Sequence, residues 1–279
     1  MPRADTLRAL LILWCVAPVL ISDAWAASLQ RVEFDSTTER LISGKLVAGD
    51  RIQGEMARPD GAGPFPAVVG LHGCAGMHET TKQRLADQLV ARGYVLLLVD
   101  SYATRGIDHA CTTTAFATFL KRRPDAFAGL LFLAGQTFVD PQRVAAVGFS
   151  AGARVSLYVA QSTSSELLDP PTDLRFRAAV AFYPPCREAW LTRPGIPTLI
   201  MIGALDDWTP AANCSDKVIS WGEGGPPVEL VVYPGAYHGF YYRHLQPGTD
   251  MFGHWLEYNS EAADNADQRL HQFIDRHLK

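Results

Sequence analysis

Apolar runs and helical periodicities alternate along most of the chain. Gln30–Phe34 and Arg51–Met56 read as early strands, separated by Gly and Asp turn signals. A Gly/Pro-rich loop over Pro59–Pro66 leads into the apolar run Ala67–Leu71. Glu79–Arg92 has helical spacing and stops at Gly93, a helix C-terminal signal. Tyr94–Val99 is apolar throughout, as expected of a strand buried on both faces, and ends in Asp100. Thr112–Gln136 is largely helical, and Pro124 predicts a break into two helices. Further strands are predicted at Arg143–Val147, Ala178–Phe182, Thr198–Ile202 and Val228–Val232. Helices are predicted at Ala151–Gln161, Asn213–Trp221 and Ala262–His277. This order predicts an α/β fold, with a mostly parallel sheet and helices on both faces. No linker divides residues 27–279, so one domain is expected.

The first 26 residues have a different character. Arg3 and Arg8 precede an apolar stretch, Ala9–Ile21, and Ala24-Trp25-Ala26 offers a small-x-small cleavage pattern. The stretch is shorter than the ~20 residues of a spanning helix and contains Pro18. A signal peptide over residues 1–26 is expected, cleaved before Ala27. A secreted or periplasmic protein without stable membrane insertion would result. Removal of the leader discards Cys15 and leaves Cys74, Cys111, Cys186 and Cys214, whose three possible pairings the sequence does not rank. The net charge of −4 and the scattering of the 25 Lys and Arg residues argue against a nucleic-acid partner. Only Lys121-Arg122-Arg123 is clustered, as at a solvated helix end.

Open sheets of this kind carry their chemistry in loops beyond the carboxyl ends of the strands. Gly148-Phe149-Ser150-Ala151-Gly152 lies between a predicted strand and a predicted helix, the setting of a nucleophile elbow. Serine needs a base, and His238 stands in a Gly-flanked loop after the last predicted strand. An imidazole base needs an orienting acid, and Asp206 and Asp207 both follow Thr198–Ile202. Their position does not separate them. His72-Gly73-Cys74-Ala75-Gly76 follows Ala67–Leu71 at the same edge. Main-chain N–H groups of Cys74 and Ala151 are therefore the expected oxyanion hole. His72 and His78 lack a nearby third ligand, so no metal is expected.

Together, His72–Gly76, Gly148–Gly152, Asp206–Pro210 and Tyr233–Phe240 resemble the dienelactone hydrolase family, from about Arg31 to the C-terminus. The resemblance implies an eight-stranded α/β-hydrolase domain that cleaves small-molecule esters or lactones without a cofactor. It selects Asp206, four residues before Pro210, as the acid and His238, before Gly239-Phe240, as the base. Well-known members use a cysteine nucleophile activated by a glutamate of the oxyanion loop. Ser150 and Gly73 stand at those places here, so ordinary serine-histidine-aspartate acyl transfer is expected. The family binds a carboxylate through arginines, and Arg105 and Arg243 lie near the corresponding positions; Trp208 is a further candidate for shaping the pocket. In this arrangement Cys186 and Cys214 lie at the catalytic edge, and Cys74 and Cys111 follow neighbouring strands. The expected bridges are Cys186–Cys214 and Cys74–Cys111. Two rival readings are a peptidase of the same fold and a catalytically silent secreted binding protein.

Overall fold

The computed structural model describes residues 26–40, 46–47, 49–112, 115–161, 168–169 and 173–279. The leader expected over residues 1–26 thus lies outside them, apart from Ala26. Eight strands form the principal sheet and are numbered here in chain order. They are β1 (Gln30–Asp35), β2 (Arg51–Ala57), β3 (Phe65–Leu71), β4 (Val95–Asp100), β5 (Val139–Phe149), β6 (Ala178–Phe182), β7 (Thr198–Gly203) and β8 (Val228–Tyr233). Their order across the sheet is β1-β2-β4-β3-β5-β6-β7-β8. Strand β2 runs antiparallel to β1 and β4, and the remaining pairs are parallel. A mostly parallel sheet is therefore what the alternating pattern produces.

Among the described residues five α-helices accompany it: α1 (Glu79–Ala91), α2 (Ala115–Ala134), α3 (Ala151–Val159), α4 (Ala211–Trp221) and α5 (Ser260–Leu278). Side chains alternate across each strand, and two cores result. Leu85 and Leu89 of α1 and Leu270, Phe273 and Ile274 of α5 pack with Val68, Leu96, Leu98 and Val147 on one face. Phe127, Leu130 and Leu133 of α2 and Val155 and Val159 of α3 pack with Val69, Leu97, Val99 and Val144 on the other.

One expectation needs correction. Helix α2 continues through Pro124 instead of splitting there. A helix-interior proline costs about 3 kcal/mol. Burying Phe127, Leu130 and Leu133, each at most 1% exposed, contributes about 1.5–3 kcal/mol apiece. Packing wins. In addition, a short hairpin, Thr249–Met251 paired with His254–Leu256, was not anticipated. It rests against the loop after β8 through a bridge between His238 and Leu256.

Candidate active site

Ser150 occupies the turn between β5 and α3 at φ 51° and ψ −113°, a left-handed conformation that strains a residue with a side chain. The flanking glycines make the turn possible. A β-carbon on Gly148 would lie 2.2 Å from the Gly152 carbonyl oxygen, and one on Gly152 would lie 2.1 Å from that of Leu71. The turn is pinned by the Ser150 N–H, which donates to the Phe182 carbonyl at 2.9 Å.

His238, in the loop after β8, brings Nε2 to 2.9 Å from Ser150 Oγ and Nδ1 to 2.8 Å from Asp206 Oδ2. A carboxylate facing Nδ1 accepts its proton in a hydrogen bond and leaves Nε2 free to accept from the serine hydroxyl. Asp206 and His238 are both buried. Burying a carboxylate is costly unless its lone pairs are filled, and here they are. Oδ1 accepts from the Trp208 and Thr209 N–H groups at 3.0 and 2.7 Å, and Thr209 Oγ1 lies 2.8 Å from Oδ2. Asp207 is exposed and pairs with His254 at 3.3 Å. Burial separates two aspartates that sequence position left equivalent.

The loop carrying Cys74 is held from several sides. His72 Nδ1 donates to the Gly73 carbonyl at 2.7 Å, and His72 Nε2 accepts from the Ser101 N–H at 3.2 Å. Burial, then the nearby Arg122 charge, pushes the His72 pKa down to about 3, so the ring is neutral. The His72 carbonyl in turn accepts from the Arg122 guanidinium. Disulfides join Cys74 to Cys111 and Cys186 to Cys214, the pairings expected. The first ties the loop carrying Cys74 to the segment after β4; the second ties the loop after β6 to α4.

Two clefts meet at Ser150. One, of about 190 Å³, is lined by His238, Met77, Tyr242, Met251 and Leu256. The other, of about 260 Å³, is lined by Cys74, Ala151, Thr118 and Arg122. Trp208 borders both, with its ring 5.2 Å from that of His238. The anion-binding expectation for Arg105 needs correction. Its guanidinium is engaged by Asp125 at 2.6 Å and Asp50 at 2.7 Å, away from both clefts. Two carboxylates already match its charge. Arg243 is exposed on a short 3-10 helix and borders neither cleft, because the chain turns it outward while Leu245 packs inward. Sequence reasoning missed Thr209, Arg122 and the hairpin residues Met251 and Leu256. Thr209 had a signal, since the Asp206–Pro210 segment contains it; Arg122 was masked by its basic neighbours.

Comparisons with known proteins agree with this fold. An uncharacterised protein of Mycobacterium tuberculosis is 28% identical over 260 residues, covering 85% of this chain and 89% of the relative. Among solved structures, the metagenomic dienelactone hydrolase-like promiscuous phosphotriesterase P91 superposes with a TM-score of 0.66 at 21% identity. That match covers 90% of this chain and 99% of P91. Esterase 2 of Thermogutta terrifontis gives a TM-score of 0.59 at 18% identity, covering 91% and 97%. The family model for dienelactone hydrolases matches residues 52–278, which hold the elbow, both loops and six of the eight strands in full; the chain belongs to the dienelactone hydrolase family.

Proposed function

We propose that the protein is an exported serine hydrolase that cleaves carboxylic esters or lactones through an acyl-enzyme on Ser150. The observation that carries this reading is the continuous relay from Ser150 Oγ through His238 to buried Asp206. In the proposed cycle, His238 Nε2 takes the serine proton as Oγ attacks the ester carbonyl. The main-chain N–H groups of Ala151 and Cys74 hold the developing oxyanion, and the first turn of α3 favours negative charge there. His238 then returns the proton to the departing alcohol, and water repeats the sequence on the acyl-enzyme. Asp206 keeps Nδ1 protonated and balances the imidazolium. No step requires a metal or cofactor.

Export is supported by the two disulfides, which persist in oxidising compartments. The Ala27 N–H also lies 2.8 Å from Asp87 Oδ1, and Gln83 Nε2 donates to the Ala27 carbonyl at 2.9 Å. Cleavage before Ala27 would turn the first contact into an ion pair at the new terminus. Among the described residues, no helix is long and apolar enough to cross a membrane.

A fluorophosphonate probe tests the nucleophile directly. Labelling is expected on Ser150, and Ser150→Ala is expected to lose label and several orders of magnitude in turnover while keeping its fold. Retention of most esterase activity by that variant ends the assignment. Matched ester and anilide substrates separate an esterase from a peptidase.

A further inference from the structure

The hairpin that leans on the loop after β8 carries a strained aromatic residue at its tip. Met251 pairs with His254, so Phe252 and Gly253 alone make the turn, with φ 56° and 82°. Positive φ at both central residues is the type I′ arrangement, which favours Asn-Gly because most side chains crowd the backbone there. Phe252 is also 53% exposed, so burial does not offset this strain. A conformationally costly, solvent-facing ring at the edge of a site points to a role outside folding.

Its neighbours say which role. The Phe252 ring lies 6.1 Å from that of Trp208, on the loop after β7, and 5.7 Å from that of His109, on the segment after β4. Trp208 in turn stacks on His254 at 5.0 Å and lies 5.2 Å from the His238 ring. A line of rings thus runs from His238 past Trp208 to Phe252 at the surface. Alternation along the hairpin turns Met251, His254 and Leu256 to one side, and Met251 and Leu256 wall the cleft of about 190 Å³ beside His238. Tyr242, His244 and Met77 line it too. Rings and thioethers pack well against a flat aromatic group.

Resting on the serine-hydrolase reading above, we propose that the preferred substrates are esters of arylmethyl alcohols, with Phe252 as a specificity residue. The leaving oxygen must reach His238 Nε2, so the alcohol side of the ester lies in the cleft that His238 lines. Its ring packs on Trp208 and Met251, and its outer edge meets Phe252 at the mouth. Attack by Ser150 Oγ breaks the bond between acyl carbon and alcohol oxygen. The arylmethyl alcohol leaves with the proton held by His238, and water then releases the acid from the acyl-enzyme.

The test compares benzyl acetate with cyclohexylmethyl acetate, which match in size and in alcohol acidity but differ in aromaticity. For the wild type, kcat/KM is expected to favour the benzyl ester by about tenfold. Phe252→Leu keeps an apolar side chain without a ring, and the ratio is expected to fall to about threefold or less. Phe252→Tyr is expected to keep most of it. Phe252→Asn is expected to lose the ratio as well, with a urea midpoint no lower than that of the wild type, because Asn-Gly suits the turn. A purely structural role for the ring would lower that midpoint and leave the ratio alone. Equal rates for the two esters in the wild type, or the same preference in the wild type and Phe252→Leu, overturn the inference. Turnover without a ring preference removes this inference alone, whereas no turnover and no fluorophosphonate label on Ser150 remove the hydrolase reading itself.

Discussion

At the scale of single residues, chemistry depends on which polar groups are buried with partners. Asp206 and Asp207 are adjacent and identical in type. Only Asp206 is enclosed, with two main-chain N–H donors and His238 on its carboxylate. Asp206→Asn is expected to lower kcat about a thousandfold to ten-thousandfold, since an amide facing Nδ1 favours the wrong tautomer. Asp207→Asn removes an exposed pair with His254 and should change kcat by less than about threefold. Steady-state kinetics on any chromogenic ester checks both, and the reverse pattern would exchange their roles. Gly148, Ser150 and Gly152 could be read from sequence because the elbow needs small residues at fixed spacing. Arg122 could not, because its burial and its hold on the His72 carbonyl come from the fold, and spacing does not encode that.

At the scale of elements, the proposed catalytic groups sit on separate loops that acyl transfer would need held to within fractions of an ångström. The Cys74–Cys111 bridge, the Arg122 contact and His72 all act on the loop that presents the Cys74 N–H. The double variant Cys74→Ala/Cys111→Ala is expected to lose about 2–4 kcal/mol of unfolding free energy by removing a crosslink over 37 residues. Its kcat should also fall, since a looser oxyanion donor is a poorer one. Urea denaturation with parallel kinetics measures both, and unchanged stability would show that the bridge is idle. Helix α2 shows how packing outweighs a local signal. Pro124 favours a break, but a helix buried along one side against the sheet overrides it. The hairpin Thr249–Leu256 went unread for the opposite reason, being two three-residue strands with too few positions to show a period.

At the scale of the whole molecule, buried neutral histidines make stability depend on pH. Burial is the main cause that lowers the His72 pKa to about 3 and the His271 pKa to about 4. Unfolding returns both toward the ordinary value of about 6.5. Between about 6.5 and these lower values the unfolded chain binds protons that the folded chain refuses. Stability is therefore full above about pH 6.5 and falls as pH drops through this window. The urea midpoint should be lower at pH 4.5 than at pH 7, and His271→Gln should flatten the difference. Equal midpoints at the two pH values would contradict this account. The sequence by itself determined the fold class, the succession of strands along the chain, the elbow and the loop that carries His238, because periodicity and glycine placement are local consequences of backbone geometry. Only the tertiary structure decided which aspartate is buried, that Arg105 is neutralised and that Arg122 is buried against the His72 carbonyl. Burial and charge pairing are properties of residues far apart in the chain, and they exist only once the sheet has brought its edges together.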